Sequence, residues 1–168
     1  MYIKVSKFKL EDDFFDEVLF IGISTSLKDY QLSFFINKSL FTNFKKMLDF
    51  SGDYFSKKEK SLFSFYYFKN NDLFSEYFLL SNKCNNTSLL LSGYKQADFF
   101  LIIKSNVMKG KTAEIITTLR KIKNIFFAFN IEISNIKNIN TLLNEIDYHI
   151  EICNNPKNKS KNQITDLN

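Results

Sequence analysis

The 168-residue chain is poor in the residues on which many protein functions depend: it has no tryptophan, one proline, four glycines, one histidine and two cysteines. The two cysteines, Cys84 and Cys153, are too few for the disulfide framework of a small secreted domain. A single histidine excludes most nucleophilic catalysis, because any Cys-His or Ser-His pair would have to use His149. The chain therefore has the composition of a protein from a reducing compartment, and we expect it in the cytoplasm.

Long hydrophobic runs are also missing. The longest apolar stretches, residues 18–23 and 99–103, are far shorter than the roughly 20 residues that a membrane helix needs. Residues 1–10 alternate polar and apolar side chains, so they lack the continuous apolar region of a signal peptide. We therefore expect no membrane partner.

Arginine is nearly absent: Arg120 stands alone beside 22 lysines, and the chain also has 19 asparagines. A net charge of +5 ordinarily favours an anionic partner such as RNA. AT-rich codon usage gives the same composition, so the charge is a weak indication. With a single arginine, the chain is also nearly devoid of the commonest side chain for reading guanine. An RNA-associated protein that binds phosphate through its lysines stays open as an alternative.

The remaining composition is that of a globular protein, with 45% hydrophobic and 24% charged residues. The length fits one domain, which we place at residues 1–153. Residues 154–168 contain Pro156 and almost no apolar side chains, and are predicted to form a disordered polar tail.

Hydrophobic periodicity predicts an α+β domain with a mainly antiparallel sheet of six or seven strands, two or three helices and a ferredoxin-like order at both ends. The almost continuously apolar residues 18–23 are typical of a central strand covered on both faces. The predicted strands lie near residues 2–10, 18–24, 45–50, 62–69, 76–83, 98–104 and 126–133. The predicted helices run from a capping box at Ser26 to Leu40, over residues 109–124, and from a Ser134 cap through Ile150.

The first predicted helix carries apolar side chains over more than one face. Leu27, Tyr30, Phe34 and Phe41 share one face, whereas Leu32, Phe35, Ile36 and Leu40 spread over the rest. The pattern predicts that this helix packs against a second helix or a second subunit as well as the sheet.

Three fragments resemble pieces of known chemical sites. Gly110-Lys111-Thr112 follows a predicted strand and opens a helix as a P-loop does, but Ser105 stands where the first P-loop glycine belongs. His149 and Cys153 are four residues apart, which is half of a zinc site, and no further histidine completes it. The acidic residues within 11–17 are interpreted as a solvated loop. We therefore predict no cofactor, no metal and no catalytic residue.

The aromatic strand at residues 62–68 has two interpretations. Phe63, Phe65 and Tyr67 lie on one face, with Tyr66 and Phe68 on the other. Such a strand can form a stacking platform for single-stranded RNA, or it can belong to the core. The absence of neighbouring glycines and arginines favours the core.

The stretch Leu91-Ser-Gly-Tyr-Lys-Gln-Ala-Asp-Phe99 resembles a degenerate copy of the motif that names the IPExxxVDY family of Bacteroidota proteins. Residues 20–24, followed by Leu27-Lys-Asp-Tyr30, are similar to that family's first strand and helix. Of the named motif only Asp98 is unchanged, and Gly93 replaces the family's glutamate. The resemblance covers residues 15–133 and implies a cytoplasmic bacterial protein, with no activity attached.

The resemblance directs attention to polar residues at the ends of predicted elements, where sites on rigid scaffolds commonly lie. They form the candidate interaction site of Lys28, Asp29, Tyr30, Tyr94, Lys95, Gln96 and Asp98. The sequence favours a non-enzymatic interaction or assembly module that docks a protein partner or a second copy of itself as a homodimer. An RNA-associated protein and an enzyme of unrecognised type are the alternatives.

Overall fold

A computed structural model describes residues 17–52, 61–84, 88–108 and 110–155. The predicted strand near residues 2–10 and residues 156–168 of the predicted tail lie outside this part of the chain. The strands are β1 (Glu17–Thr25), β2 (Lys45–Lys46), β3 (Phe50–Ser51), β4 (Leu62–Phe63), β5 (Phe65–Asn70), β6 (Ser75–Ser81), β7 (Phe99–Ser105) and β8 (Ile125–Asn130). The α-helices are α1 (Asp29–Leu40), α2 (Thr112–Arg120) and α3 (Ile139–Asn154).

Six strands form one antiparallel sheet in the order β2-β5-β6-β7-β1-β8, and β3 pairs with β4 in a small second sheet. The predicted α+β class with a mainly antiparallel sheet is confirmed. The central strands β1 and β7 pair over seven residues, from Glu17 opposite Ser105 to Ile23 opposite Phe99. Residue Ile21 of β1 also faces Asn130 of β8, which leaves β8 at one edge of the sheet.

Each face of the sheet is covered by helices, so the molecule has three layers. Alternate side chains of a strand point to opposite faces, and β1 shows the rule: Leu19, Ile21 and Ile23 pack in the core beneath α1 and α2. Phe20 packs in the second core, together with the buried residues of α3. The prediction of a central strand buried on both faces is confirmed.

The aromatic strand also follows this alternation. Phe63 and Phe65 are fully buried on the α3 side, and Tyr66 is buried on the α1 side. The interpretation of this strand as core is confirmed. A base could not stack on these rings without displacing a helix.

Two predicted strands are each divided in the structure. The strand predicted at 45–50 becomes β2 and β3, and the one predicted at 62–69 becomes β4 and β5. Between β2 and β3 the carbonyl of Leu48 is 2.8 Å from His149 Nε2 on α3. At this point the chain leaves the main sheet, and Phe50 pairs with Phe63 in the small sheet.

The helices begin and end at other residues than predicted. α1 starts after Lys28, whose backbone is extended, and not at Ser26. At Ser26 the chain bends, and the Thr25 hydroxyl accepts a hydrogen bond from Leu27 N–H. α3 starts after Asn138, and Ser134 lies within a 3-10 turn. The α2 helix ends at Arg120, four residues earlier than predicted.

The orientation of α1 decides which of its apolar side chains meet solvent. Leu32 and Ile36 are fully buried against the sheet. Tyr30, Phe34 and Phe41 lie on the opposite side of the helix and are exposed. The helix touches α2 at its flank, so the predicted second helix is present, while the outer face has no partner within the described chain.

Candidate functional site

The outer side of α1 carries a set of exposed aromatic side chains, Tyr30, Phe34, Phe35 and Phe41, which we call the aromatic face. Their exposed fractions are 63%, 54%, 38% and 92%. Tyr30 and Phe34 are one helical turn apart, and Phe41 follows two turns after Phe34, so the three form one stripe. Aromatic rings in this number cost hydration free energy when they face water, and contiguous apolar patches mark interaction sites.

Phe41 also has an unfavourable backbone conformation. It ends α1 in the left-handed conformation with φ of 54°, where helices ordinarily place glycine or asparagine. A bulky residue there is an outlier. Of the four left-handed positions other than glycine in the described chain, Asn124 and Asn138 carry the favoured residue type, whereas Phe41 and Phe74 do not. The sequence therefore accepts backbone strain to keep an aromatic ring in solvent at the end of the aromatic face.

Lys38 lies within the aromatic face and supplies its charge. Its ammonium group is 5.1 Å from the centre of the Phe34 ring, in cation–π contact. Phe34 and Phe35 meet edge to face at 5.5 Å between ring centres. The face is therefore ordered within one copy of the chain, with a cation beside its central ring.

A polar cleft of about 360 Å³ lies at the opposite end of α1, where the helix begins. Its charged lining consists of Lys28, Asp29, Lys46, Asp49 and Lys83. Two of the predicted site residues, Lys28 and Asp29, line this cleft. The structure thus places the start of α1 beside the ends of β2 and β6, at Lys46 and Ser81.

Asp29 links α1 to the sheet. Its carboxylate accepts hydrogen bonds from the Tyr66 hydroxyl at 3.2 Å and the Lys46 ammonium group at 3.4 Å. Lys46 also bonds the Asp49 carboxylate at 2.8 Å. Burial, reinforced by the negative charge of Asp29, raises the pKa of Tyr66 to about 12. Tyr66 therefore stays protonated at neutral pH and acts as a hydrogen-bond donor.

Asp98 lies next to the cleft and accepts a hydrogen bond from the backbone. One carboxylate oxygen accepts the N–H of Thr25 at 2.8 Å, and the other bonds the Lys83 ammonium group. Since Lys83 lines the cleft, the structure brings Asp98 close to Lys28 and Asp29. The Thr25 contact fixes the point where β1 ends and the chain turns toward α1.

The other predicted site residues lie apart from the cleft lining. Tyr30 belongs to the aromatic face. Tyr94 is half-buried in a 3-10 turn, 6.5 Å from the Phe100 ring in edge-to-face contact. Lys95 and Gln96 are exposed beyond that turn. The seven predicted residues therefore divide between an apolar surface, a polar cleft and a loop.

The loop around Tyr94 depends on a residue that sequence reasoning missed. Asn82 is fully buried. Its side-chain N–H groups donate to the carbonyls of Tyr94 and Ala97 at 2.9 and 3.0 Å, and its side-chain oxygen accepts the N–H of Leu91. Every polar group of this amide is satisfied, so Asn82 shapes the loop from inside. Because the sequence has 19 asparagines, nothing in its pattern distinguishes Asn82 from the others.

A second set of polar contacts involves charged side chains of the central strands. The buried Lys104 of β7 pairs with Asp147 of α3, which joins the helix to the sheet. The Tyr67 hydroxyl of β5 donates to Glu76 of the neighbouring strand β6 at 2.6 Å. Burial, helped by the Glu76 contact, raises the pKa of Tyr67 well above its usual range.

His149 and Cys153 also face the core. Burial lowers the pKa of His149 and raises the pKa of the Cys153 thiol. The His149 ring lies edge-on to Phe50 and Phe65, with one nitrogen bonded to Leu48. Within the described residues no group of three or more histidine, cysteine or acidic side chains could hold a metal ion.

The edge strand β8 shows how the single arginine is used. In the antiparallel ladder the Ile131 N–H donates to the Phe20 carbonyl at 2.8 Å. The backbone N–H and C=O groups of every second residue from Ile131 therefore point toward β1, and those of Ala128 point toward the open edge of the sheet. The Arg120 guanidinium group donates two hydrogen bonds to the Ala128 carbonyl, at 2.7 and 3.0 Å. The α2 residue Arg120 thus covers an outward carbonyl of the edge strand with a charged group, which discourages pairing with another chain.

A comparison of this chain with protein-family models, with curated proteins and with solved structures finds no match. Among the described residues no helix has the length and hydrophobicity needed to cross a membrane.

Proposed function

We propose that this protein is a non-enzymatic interaction and assembly module, and that the aromatic face of α1 is its docking surface. The observation that carries the proposal is the stripe of exposed rings Tyr30, Phe34 and Phe41 on one side of α1, which ends at a residue with a left-handed backbone. A contiguous exposed aromatic surface indicates a contact outside the fold, and the backbone strain at its end adds to that indication.

The polar cleft supports a structural role better than a catalytic one. Asp29, Asp49 and Asp98 each have a lysine within ion-pair distance. Asp29 and Asp98 also accept hydrogen bonds from backbone N–H groups, those of Tyr30 and Thr25. Carboxylates held in this way position the start of α1. The cleft therefore orients the helix that carries the aromatic face.

The RNA alternative has less support. The aromatic strand that would stack bases is largely buried, and four described lysines, Lys46, Lys69, Lys83 and Lys104, already pair with carboxylates. The likeness to IPExxxVDY proteins stays a prediction and adds no activity to this proposal.

The test uses a photo-reactive phenylalanine analogue placed at Phe34 of the full chain in living cells. Because Phe34 lies at the centre of the aromatic face, we expect a discrete crosslinked product after irradiation. Excess unlabelled wild-type protein should reduce the product at least fivefold in a lysate, and excess Phe34→Glu protein should not.

The matched control carries the same analogue at Phe126 of β8. This ring is 60% exposed, close to the 54% of Phe34, but it lies beside the blocked edge. A product from position 126 of equal yield, or no competable product from position 34, would contradict the proposal.

A further inference from the structure

The aromatic face has a cation, Lys38, and a ring, Tyr30, placed symmetrically about Phe34 along α1. Lys38 and Tyr30 stand four residues after and four residues before Phe34 on the same side of α1. If two α1 helices cross antiparallel with Phe34 at the centre, each Lys38 comes to lie opposite the other copy's Tyr30. A lysine above a tyrosine ring is a favourable cation–π pair. A parallel crossing would place the two lysines together.

The size of the aromatic face fits such a pair. With about 200 Å² for each aromatic side chain, the exposed fractions of the four rings give roughly 500 Å² on each copy. Two copies would bury about 1,000 Å², near the lower limit of specific interfaces, so a weak and reversible dimer is expected.

The described sheet edges offer a poorer route to self-association. The β8 edge is capped at Ala128 by Arg120. The β2 strand at the other edge has only two residues, both lysines, and short charged edges resist pairing. These edges leave the helix surface as the contact best suited to another copy.

We infer that the partner of the aromatic face is a second copy of this chain, joined through antiparallel α1 helices with Phe34 at the two-fold axis and Lys38 opposite Tyr30. This inference rests on the proposed function and deepens it, because it names the occupant. A two-fold axis brings the same surface of both copies together.

Engineered cysteines test the arrangement in purified protein. In a background carrying Cys84→Ser, we expect Phe34→Cys to form a disulfide-linked dimer under mild oxidation. A mixture of the Tyr30→Cys and Lys38→Cys proteins should link at least fivefold more than either protein alone. A parallel helix pair would reverse this preference and overturn the inferred geometry.

A Phe126→Cys protein in the same background controls for random collision, and circular dichroism confirms that each variant is folded. If position 34 links no better than position 126, the second copy is not the partner. The photo-crosslinking test then separates the two proposals. A competable product with a mass other than twice 19.8 kDa would retain the docking surface and refute self-association. The absence of any product would refute both.

Discussion

The β8 edge of the sheet and the outer face of α1 both present exposed phenylalanines to solvent, but they differ in what surrounds those rings. At β8 the outward carbonyl of Ala128 is held by the two hydrogen bonds of Arg120. On α1 the rings of Phe34 and Phe41 are exposed with a lysine beside them and with backbone strain at Phe41. The first surface is closed to a partner strand, and the second is kept open.

This difference shows that exposure alone does not identify a docking surface. Single exposed aromatic side chains are ordinary in soluble proteins. The informative feature is whether neighbouring residues block the exposed surface or extend it. At β8 the hydrogen bonds of Arg120 block the edge. On α1 several exposed rings form one stripe, whereas Phe74, with the same left-handed backbone, is a single exposed ring in a turn.

The largest expected effect comes from a charge at the centre of the aromatic face. Phe34→Glu should raise the dissociation constant of self-association more than hundredfold, about 3 kcal/mol, since it places two carboxylates near the two-fold axis. Sedimentation velocity over a range of concentrations measures this constant. The control Phe126→Glu should change it less than twofold, and equal effects would erase the contrast between the two surfaces.

Removal of the edge cap should convert the closed surface into an open one. Arg120→Ala deletes both hydrogen bonds to Ala128 and should lower the free energy of unfolding by about 1 kcal/mol. It should also produce larger, salt-resistant oligomers in light scattering, because the β8 edge can then pair.

Arg120→Lys is the matched control for the edge cap. It keeps the charge but lacks the guanidinium fork, so we expect an intermediate result. If Arg120→Ala stays as well dispersed as wild type, Arg120 does not guard the edge.

Because the backbone at Phe41 is strained, replacing this residue should stabilise the fold and weaken self-association. Phe41→Asn should raise the free energy of unfolding by about 1 kcal/mol, because asparagine tolerates the left-handed backbone. The same variant should weaken self-association about tenfold. Urea denaturation at low protein concentration and sedimentation measure the two effects.

Phe74 supplies the control for Phe41. It has φ of 45° and is 76% exposed, in the turn between β5 and β6. Phe74→Asn should also stabilise the fold but leave association unchanged. Weakened association in both variants would mean that the interface extends beyond α1.

The smallest effect concerns pH. Burial holds the pKa of His149 below its ordinary 6.5. His149 therefore binds a proton more tightly in the unfolded chain than in the folded one. Stability should therefore be fully present above pH 6.5 and fall as the pH drops through that value. His149→Gln should flatten the profile measured by urea denaturation between pH 7.5 and 5.5. The dimer constant should not follow it, since His149 lies on the α3 side of the sheet.

Much of the fold was predictable because hydrophobic alternation is local. The continuous apolar run of β1 and the two-sided aromatic pattern of β5 each identify their environment within a few residues. The predicted strand at 45–50 failed for a different reason. At the point where it is divided, Leu48 contacts His149, which is 101 residues away in the sequence. No local pattern contains that information.

The candidate site was predictable only in part. Lys28, Asp29 and Asp98 do lie near one cleft, but Tyr30 belongs to a different surface on the same helix. Tyr30 points away from the cleft because the burial of Leu32 and Ile36 against the sheet sets the rotation of α1 about its own axis. Asn82 and Arg120 act through backbone carbonyls of other elements, so their roles needed the three-dimensional structure.

The molar mass of the purified wild-type protein, measured by light scattering during chromatography, shows directly whether two copies pair. It should be measured at low and high salt over a range of concentrations, with the nucleic-acid absorbance ratio recorded on the same peak. If the aromatic faces pair, the mass shifts reversibly from 19.8 kDa toward twice that value as the concentration rises, independently of salt and free of nucleic acid. A monomer at every concentration, or a species that carries RNA and releases it at high salt, would contradict this pairing.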